Sequence, residues 1–288
     1  MSALAEHMAA GASTVSRIWI IRRTDGRTLG FTDHDRALDF DGIRCAASSG
    51  MTAGALQQAT GLAVDNVEAT GALSDDAISE ADLRAGRFDG AEVTIWLVNW
   101  ADVTMREMLF RGTMGEIGWG EGAFSVELRG LSEALNQARG RVFQSRCDAV
   151  LGDRRCGVEF GPLFSAEVDV ATVEGSVVSI PELRHFAPKW FERGRLIALS
   201  GPANGLSERI KTDRTGNGVR KIALWAALRA PLMPGDRVRI EAGCDKLRDT
   251  CRFKFDNLIN FRGFPDMPGE DWLMAYPKSA GRNDGGRG

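Results

Sequence analysis

The residues of this chain best able to do chemistry are its cysteines. Four of the five lie in the second half, Cys147, Cys156, Cys244 and Cys251, with Cys45 alone in the first. Eight residues separate the first pair, six the second, and 87 lie between the pairs. Four thiolates are the ligand set of both structural zinc and iron–sulfur clusters. The spacing decides neither, because zinc sites usually carry two to four residues inside each pair and common ferredoxin runs are as short. Unrelated buried thiols and a disulfide remain open readings of the same residues. Arg146, Arg154, Arg155, Lys246, Arg248 and Arg252 crowd these positions, and positive neighbours lower a thiol's pKa, so the local charge predicts thiolates.

Other candidates are weaker. In Gly30-Phe31-Thr32-Asp33-His34-Asp35-Arg36 the histidine stands between two carboxylates, but neighbours along a strand face opposite sides, so a turn or hydrogen-bond role is expected. Nucleophilic catalysis would need Cys147 or Cys156 beside a histidine, and His185 is the only one in the second half; its neighbours Phe186 and Trp190 predict a packed ring. The chain has no Walker loop, no Gly-x-Gly-x-x-Gly after a strand and no His-Glu-x-x-His.

The elements that must position the thiols are strands. Runs rich in Val, Ile, Phe and Trp at 16–22, 38–46, 92–100, 108–113 and 123–129, punctuated by Asp41-Gly42 and Asp89-Gly90, predict antiparallel strands. Helices are expected at 79–85, capped by Ser79, and at 132–139. Beyond a Gly- and Arg-bearing connection, runs at 166–173, 176–180, 195–200, 208–212, 219–225 and 237–241 again predict strands, followed by a helix within 246–257. The fold class expected is therefore mainly β with short helices, between all-β and α+β. Three regions are expected: a domain over 1–139, a β-rich module over 140–278 and a flexible tail over 279–288. A straight helix across 244–251 would hold Cys244 and Cys251 about 10 Å apart along its axis. Cys244 is better placed in the turn after the 237–241 strand, with Cys251 in the first turns of the helix.

Charge divides the same way. Residues 1–130 hold 11 Arg, no Lys and 19 Asp+Glu, a net −8, whereas 131–288 hold 25 Lys+Arg and 20 Asp+Glu, a net +5. An acidic half repels phosphate and the positive excess is dilute, which argues against a nucleic-acid-binding module. The longest apolar runs, 18–21 and 95–98, are far shorter than the ~18 residues of a membrane span. Residues 1–14 lack a basic n-region, so synthesis and folding in a bacterial cytoplasm are expected.

Seven segments carry a resemblance. They are Gly30-Phe31-Thr32-Asp33-His34-Asp35-Arg36, Ala63-Val64-Asp65-Asn66, Gly71-Ala72-Leu73-Ser74, Ile95-Trp96-Leu97-Val98-Asn99-Trp100, Cys147-Asp148 with Leu151-Gly152-Asp153-Arg154-Arg155-Cys156-Gly157-Val158, Ala242-Gly243-Cys244-Asp245-Lys246, and Asn260-Phe261-Arg262-Gly263-Phe264-Pro265. Over nearly its whole length the chain resembles the DUF2163 family of phage tail proteins with its C-terminal conserved phage domain, and within it the baseplate hub proteins of gene transfer agents. It is also similar to the iron–sulfur tail tip protein of lambda-like phages.

That resemblance implies a structural, non-enzymatic hub in the tail baseplate of a phage-like particle. The hub would be a homotrimeric ring joining the distal tail protein to the large tip or fibre-bearing protein, around a channel through which DNA passes without specific binding. It implies a β-barrel for the N-terminal region. It also implies that Cys147, Cys156, Cys244 and Cys251 hold an iron–sulfur cluster, [4Fe–4S] over zinc, and gives Cys45 no such role. The alternative in another class is a tail-associated cell-wall hydrolase using a Cys/His pair.

Overall fold

The computed structural model describes residues 3–11, 14–47, 52–53, 66–72, 78–120, 123–131 and 140–267, with backbone alone at 52–53, 66–72, 119–120 and 123–124. The chain divides into two compact units, Met1–Ala138 and Arg139–Gly288. The helix expected over 132–139 and the tail over 279–288 lie outside the described residues. No described helix is long and apolar enough to cross a membrane.

The first unit opens with helix α1 (Ala3–Ala9) and is built on strands β1 (Val15–Arg22), β2 (Thr28–Thr32), β3 (Leu38–Phe40), β4 (Ile43–Ala47), β5 (Thr52–Ala53) and β6 (Asn66–Ala72), helix α2 (Glu80–Arg84), and strands β7 (Glu92–Asn99), β8 (Asp102–Gly120) and β9 (Ala123–Gly130). The nine strands form one sheet in the order β3-β4-β2-β1-β7-β8-β9-β6-β5. Period-two alternation explains why it is buried on both faces. From β1, Trp19 and Ile21 enter a core with Phe31, Phe88 and Ile95, while Ile18 and Ile20 enter another with Phe40, Cys45 and Val98. α2 starts as expected, with the Ser79 hydroxyl accepting from the Asp82 backbone N–H at 3.1 Å.

Two features differ from the sequence reading. The Asp41-Gly42 turn does fold β3 back antiparallel on β4, but β4 then pairs with β2 in parallel, because β3 takes up the reversal before β4 reaches the sheet. The barrel expected for this region is also absent: among the described residues the sheet is open, with short strands β3 and β5 at its edges and no ladder joining them. Closure requires the first and last strands to exchange hydrogen bonds. Here three- and two-residue edge strands offer little ladder, and the 19-residue β8 shifts register against β9 between Met114 and Ile117.

The second unit contains β10 (Ser165–Asp169), β11 (Thr172–Glu174), β12 (Val177–Pro181), β13 (Arg195–Ala198), β14 (Ser207–Gly216), β15 (Val219–Leu224) and β16 (Arg237–Glu241), then helix α3 (Arg248–Phe253) and a 3₁₀ turn, Leu258–Asn260. Its open sheet runs β10-β16-β13-β14-β15-β12-β11, and every pairing is antiparallel. Val178, Ile180, Phe191, Leu196, Ile210, Ile222, Val238 and Ile240 fill the core. Within it, Arg220 and Asp213 form a fully buried bidentate pair at 2.6–2.7 Å, and Arg220 also donates to the carbonyls of Phe186 and Ala187, which fastens the 183–191 segment to β14 and β15.

Candidate metal centre

Beside that core lies a smaller apolar cluster of Ala149, Val158, Ala242 and Phe255; Cys147, Cys156 and Cys244 belong to it, and Cys251 lines the cavity it borders. Cys147 and Cys156 come from an irregular loop closed by turns at Gly152, where φ is +82° and a side chain would strike the Phe160 ring. Asp153 sets its shape: one carboxylate oxygen accepts the N–H groups of Arg155 and Cys156 at 2.9 and 2.7 Å, and the other accepts that of Val150 at 3.0 Å. Cys244 follows β16 and Cys251 lies in α3. Gly243, just before Cys244, touches the Glu192 backbone so closely that a Cβ would collide with its carbonyl. Lys254 then holds this turn from the far side, donating to the carbonyls of Gly243 at 2.8 Å and Trp190 at 2.6 Å with its ammonium over the Trp190 ring.

Tertiary contacts bring the two pairs together. The Cys147 N–H donates to the Lys246 carbonyl at 2.9 Å, and the Lys246 ammonium returns to the Ala149 carbonyl. All four thiols, with Lys246, Asn257 and Asn260, line one cavity of about 20 Å³, and no histidine is among its walls. His185, expected to be packed, is exposed with its ring against Phe186, and it does not line the cavity. Cys45 is buried within the first unit.

The electrostatics correct one expectation. No arginine is among the influences on the Cys244 or Cys251 thiol: Arg146, Arg154, Arg155, Arg248 and Arg252 are all exposed, and Arg155 is occupied by Asp148 and Asp153. Burial instead pushes the Cys244 thiol up, against opposing contributions from Lys246, and pushes Cys251 up to about 11, with further contributions from the charges of Cys244, Cys147 and Cys156. Four thiols in one half-buried cavity repel one another once ionised. A bound cation is what deprotonates such a set.

Four thiols lining one cavity are the donor type of a thiolate-bound metal centre. Two sulfurs already face N–H donors, Lys246 N at 3.4 Å from Cys244 Sγ and Asn257 Nδ2 at 3.8 Å from Cys156 Sγ. Four sulfurs around a single zinc stand about 3.8 Å apart, given Zn–S near 2.3 Å. Among the described residues, no three His, Cys, Asp or Glu groups are gathered closely enough to hold one ion. Thiolates on a four-iron cluster bind separate irons and are spaced more widely. Lys254 and Asn257 escaped the sequence reading because their work is done on carbonyls distant in the chain, whereas Asp153 acts on N–H groups two and three residues away.

Two open β-sheet units among the described residues, one bearing a four-thiol cavity, define a two-domain, mainly β protein. Residues 1–159 match a family described as the baseplate hub protein, N-terminal attachment domain, and residues 189–271 match one described as the phage conserved hypothetical protein BR0599. The chain belongs to the baseplate hub family, as its sequence segments indicated. Cys147 and Cys156 fall in the first match and Cys244 and Cys251 in the second, so the cavity spans both. Among solved structures the chain is similar to one in the virion of a native gene transfer agent particle, at 52% identity and TM-score 0.90, covering 99% of each chain. Among curated proteins none matches.

Proposed function

We propose that this chain is a structural component of the tail baseplate of a gene transfer agent or phage-like particle. The observation that carries the reading is likeness over 99% of both chains to a protein of such a virion. In this reading the chain forms a homotrimeric ring, joins the distal tail protein to the tip or fibre-bearing protein, and turns its acidic half toward the DNA channel. A negative wall repels phosphate and lets DNA slide. A mainly β chain with no histidine at its thiols supports a mechanical role over the hydrolase alternative. Particles made with a tagged chain should label at the tail tip, and particles lacking it should carry no assembled baseplate; label elsewhere overturns the reading.

Within that role, Cys147, Cys156, Cys244 and Cys251 would hold a [4Fe–4S] cluster, with zinc as the alternative. The bound centre supplies four metal–sulfur bonds and neutralises the thiolates. The chain's residues do the rest: Asp153 shapes one ligand loop, Gly243 and Lys254 hold the other, and Lys246 ties them together. Their 87-residue separation makes this a long loop closure, whose entropy such a tie offsets. Anaerobically purified chain should be brown, with broad absorbance at roughly 400 nm and stoichiometric iron and sulfide. A colourless preparation with one zinc per chain would reject the cluster.

A further inference from the structure

Asn257, like Lys246, touches both ligand pairs. The side-chain amide of Asn257 donates to the Cys156 carbonyl at 2.6 Å and reaches the Cys156 sulfur at 3.8 Å. Its backbone N–H donates to the Cys251 carbonyl at 3.0 Å, a bond that ligation leaves intact, while its own carbonyl accepts from the Cys251 thiol at 3.2 Å as long as that sulfur is protonated. The remaining amide oxygen accepts from Asn260 Nδ2 at 2.7 Å, which fixes which end of the amide faces the sulfur. Cys156 and Asn257 are 101 residues apart, so these bonds join the loop of the first pair to the helix of the second. Both asparagines line the cavity.

We infer that Asn257, oriented by Asn260, is a positioning residue of the metal centre, which clamps Cys156 to Cys251 and directs an N–H at the Cys156 sulfur. The inference rests on the proposed cluster. Its physical content is twofold: the clamp slows loss of the ligand set, and the N–H stabilises negative charge on sulfur, one of the factors that sets a cluster's potential. Asn257→Asp keeps the shape and replaces the donor with an acceptor. Asn260→Ala leaves Asn257 in place and frees its orientation.

The test uses full-length chain purified anaerobically, as wild type and both variants. Its readouts are iron and sulfide content, bleaching near 400 nm under a chelator, midpoint potential, and mass mapping of alkylated cysteines. Asn257→Asp is expected to bind iron, to bleach about 10–100-fold faster and to show a more negative potential. Asn260→Ala should move both in the same direction by less, and keeps the test open if the first variant does not fold. Unchanged bleaching and potential in a folded, iron-loaded Asn257→Asp overturn the inference, since a merely structural residue would leave the potential alone. A wild type without iron overturns the cluster reading instead. The clamp is then judged by alkylation: faster modification of Cys156 and Cys251 in the variants supports it, and equal rates overturn it.

Discussion

At the scale of single residues, the cysteines divide by environment. Cys45 is fully buried, and burial, with the Asp39 charge, pushes its thiol up from 9.0 to about 11. The sign follows from proton linkage: between these values the unfolded chain releases the proton first, so stability is complete below pH 9 and falls as pH rises through about 11. Denaturant unfolding of the first unit at pH 8 and pH 10.5 should differ by on the order of 1–2 kcal/mol. Cys45→Ala should remove most of that difference, and an unchanged pH dependence would count against the assignment. In the ligand set, Cys244→Ser is expected to abolish metal binding and loosen the second unit while leaving the first intact, as read by metal content and limited proteolysis.

At the scale of elements, two devices hold the second unit in register. One is the Arg220–Asp213 pair, whose guanidinium satisfies the carboxylate and the carbonyls of the 183–191 segment together. Breaking it leaves a buried unpaired charge, so Asp213→Ala should cost about 3–5 kcal/mol in thermal or denaturant unfolding. Asp213→Leu combined with Arg220→Met should cost less than the single change, because neither charge remains. The other is Gly243, pressed against the Glu192 backbone. Gly243→Ala must push β16 from the 192–194 turn, with an expected loss of about 2–4 kcal/mol and of metal affinity, since Cys244 follows directly. Wild-type stability and metal content in this variant would show that the turn relaxes.

At the scale of the whole molecule, the charge split and the surface argue for assembly. Phe253 and Ile259 are 76% and 88% exposed beside the thiol site, and among the described residues both sheets are open at their edges. In the proposed ring three chains of 31.2 kDa give about 94 kDa. Light scattering of the purified chain should find that mass and a larger one once the distal tail protein is bound, and a chain that stays monomeric in both would overturn the trimer.

Much of this was legible in the residues. Strand periodicity placed most of the β elements, and the Ser79 cap and Asp41-Gly42 turn announced themselves by local chemistry. The four ligand candidates could be named because cysteines concentrated in one half of a chain are conspicuous. Local pattern determined those things because each depends on neighbours within a few positions. Only the tertiary structure decided that the first sheet stays open among the described residues, that β4 runs parallel to β2, that burial outweighs Lys246 at Cys244, and that Asn257 spans both pairs. Each of these depends on which groups distant in the chain meet, and on how much water their meeting excludes.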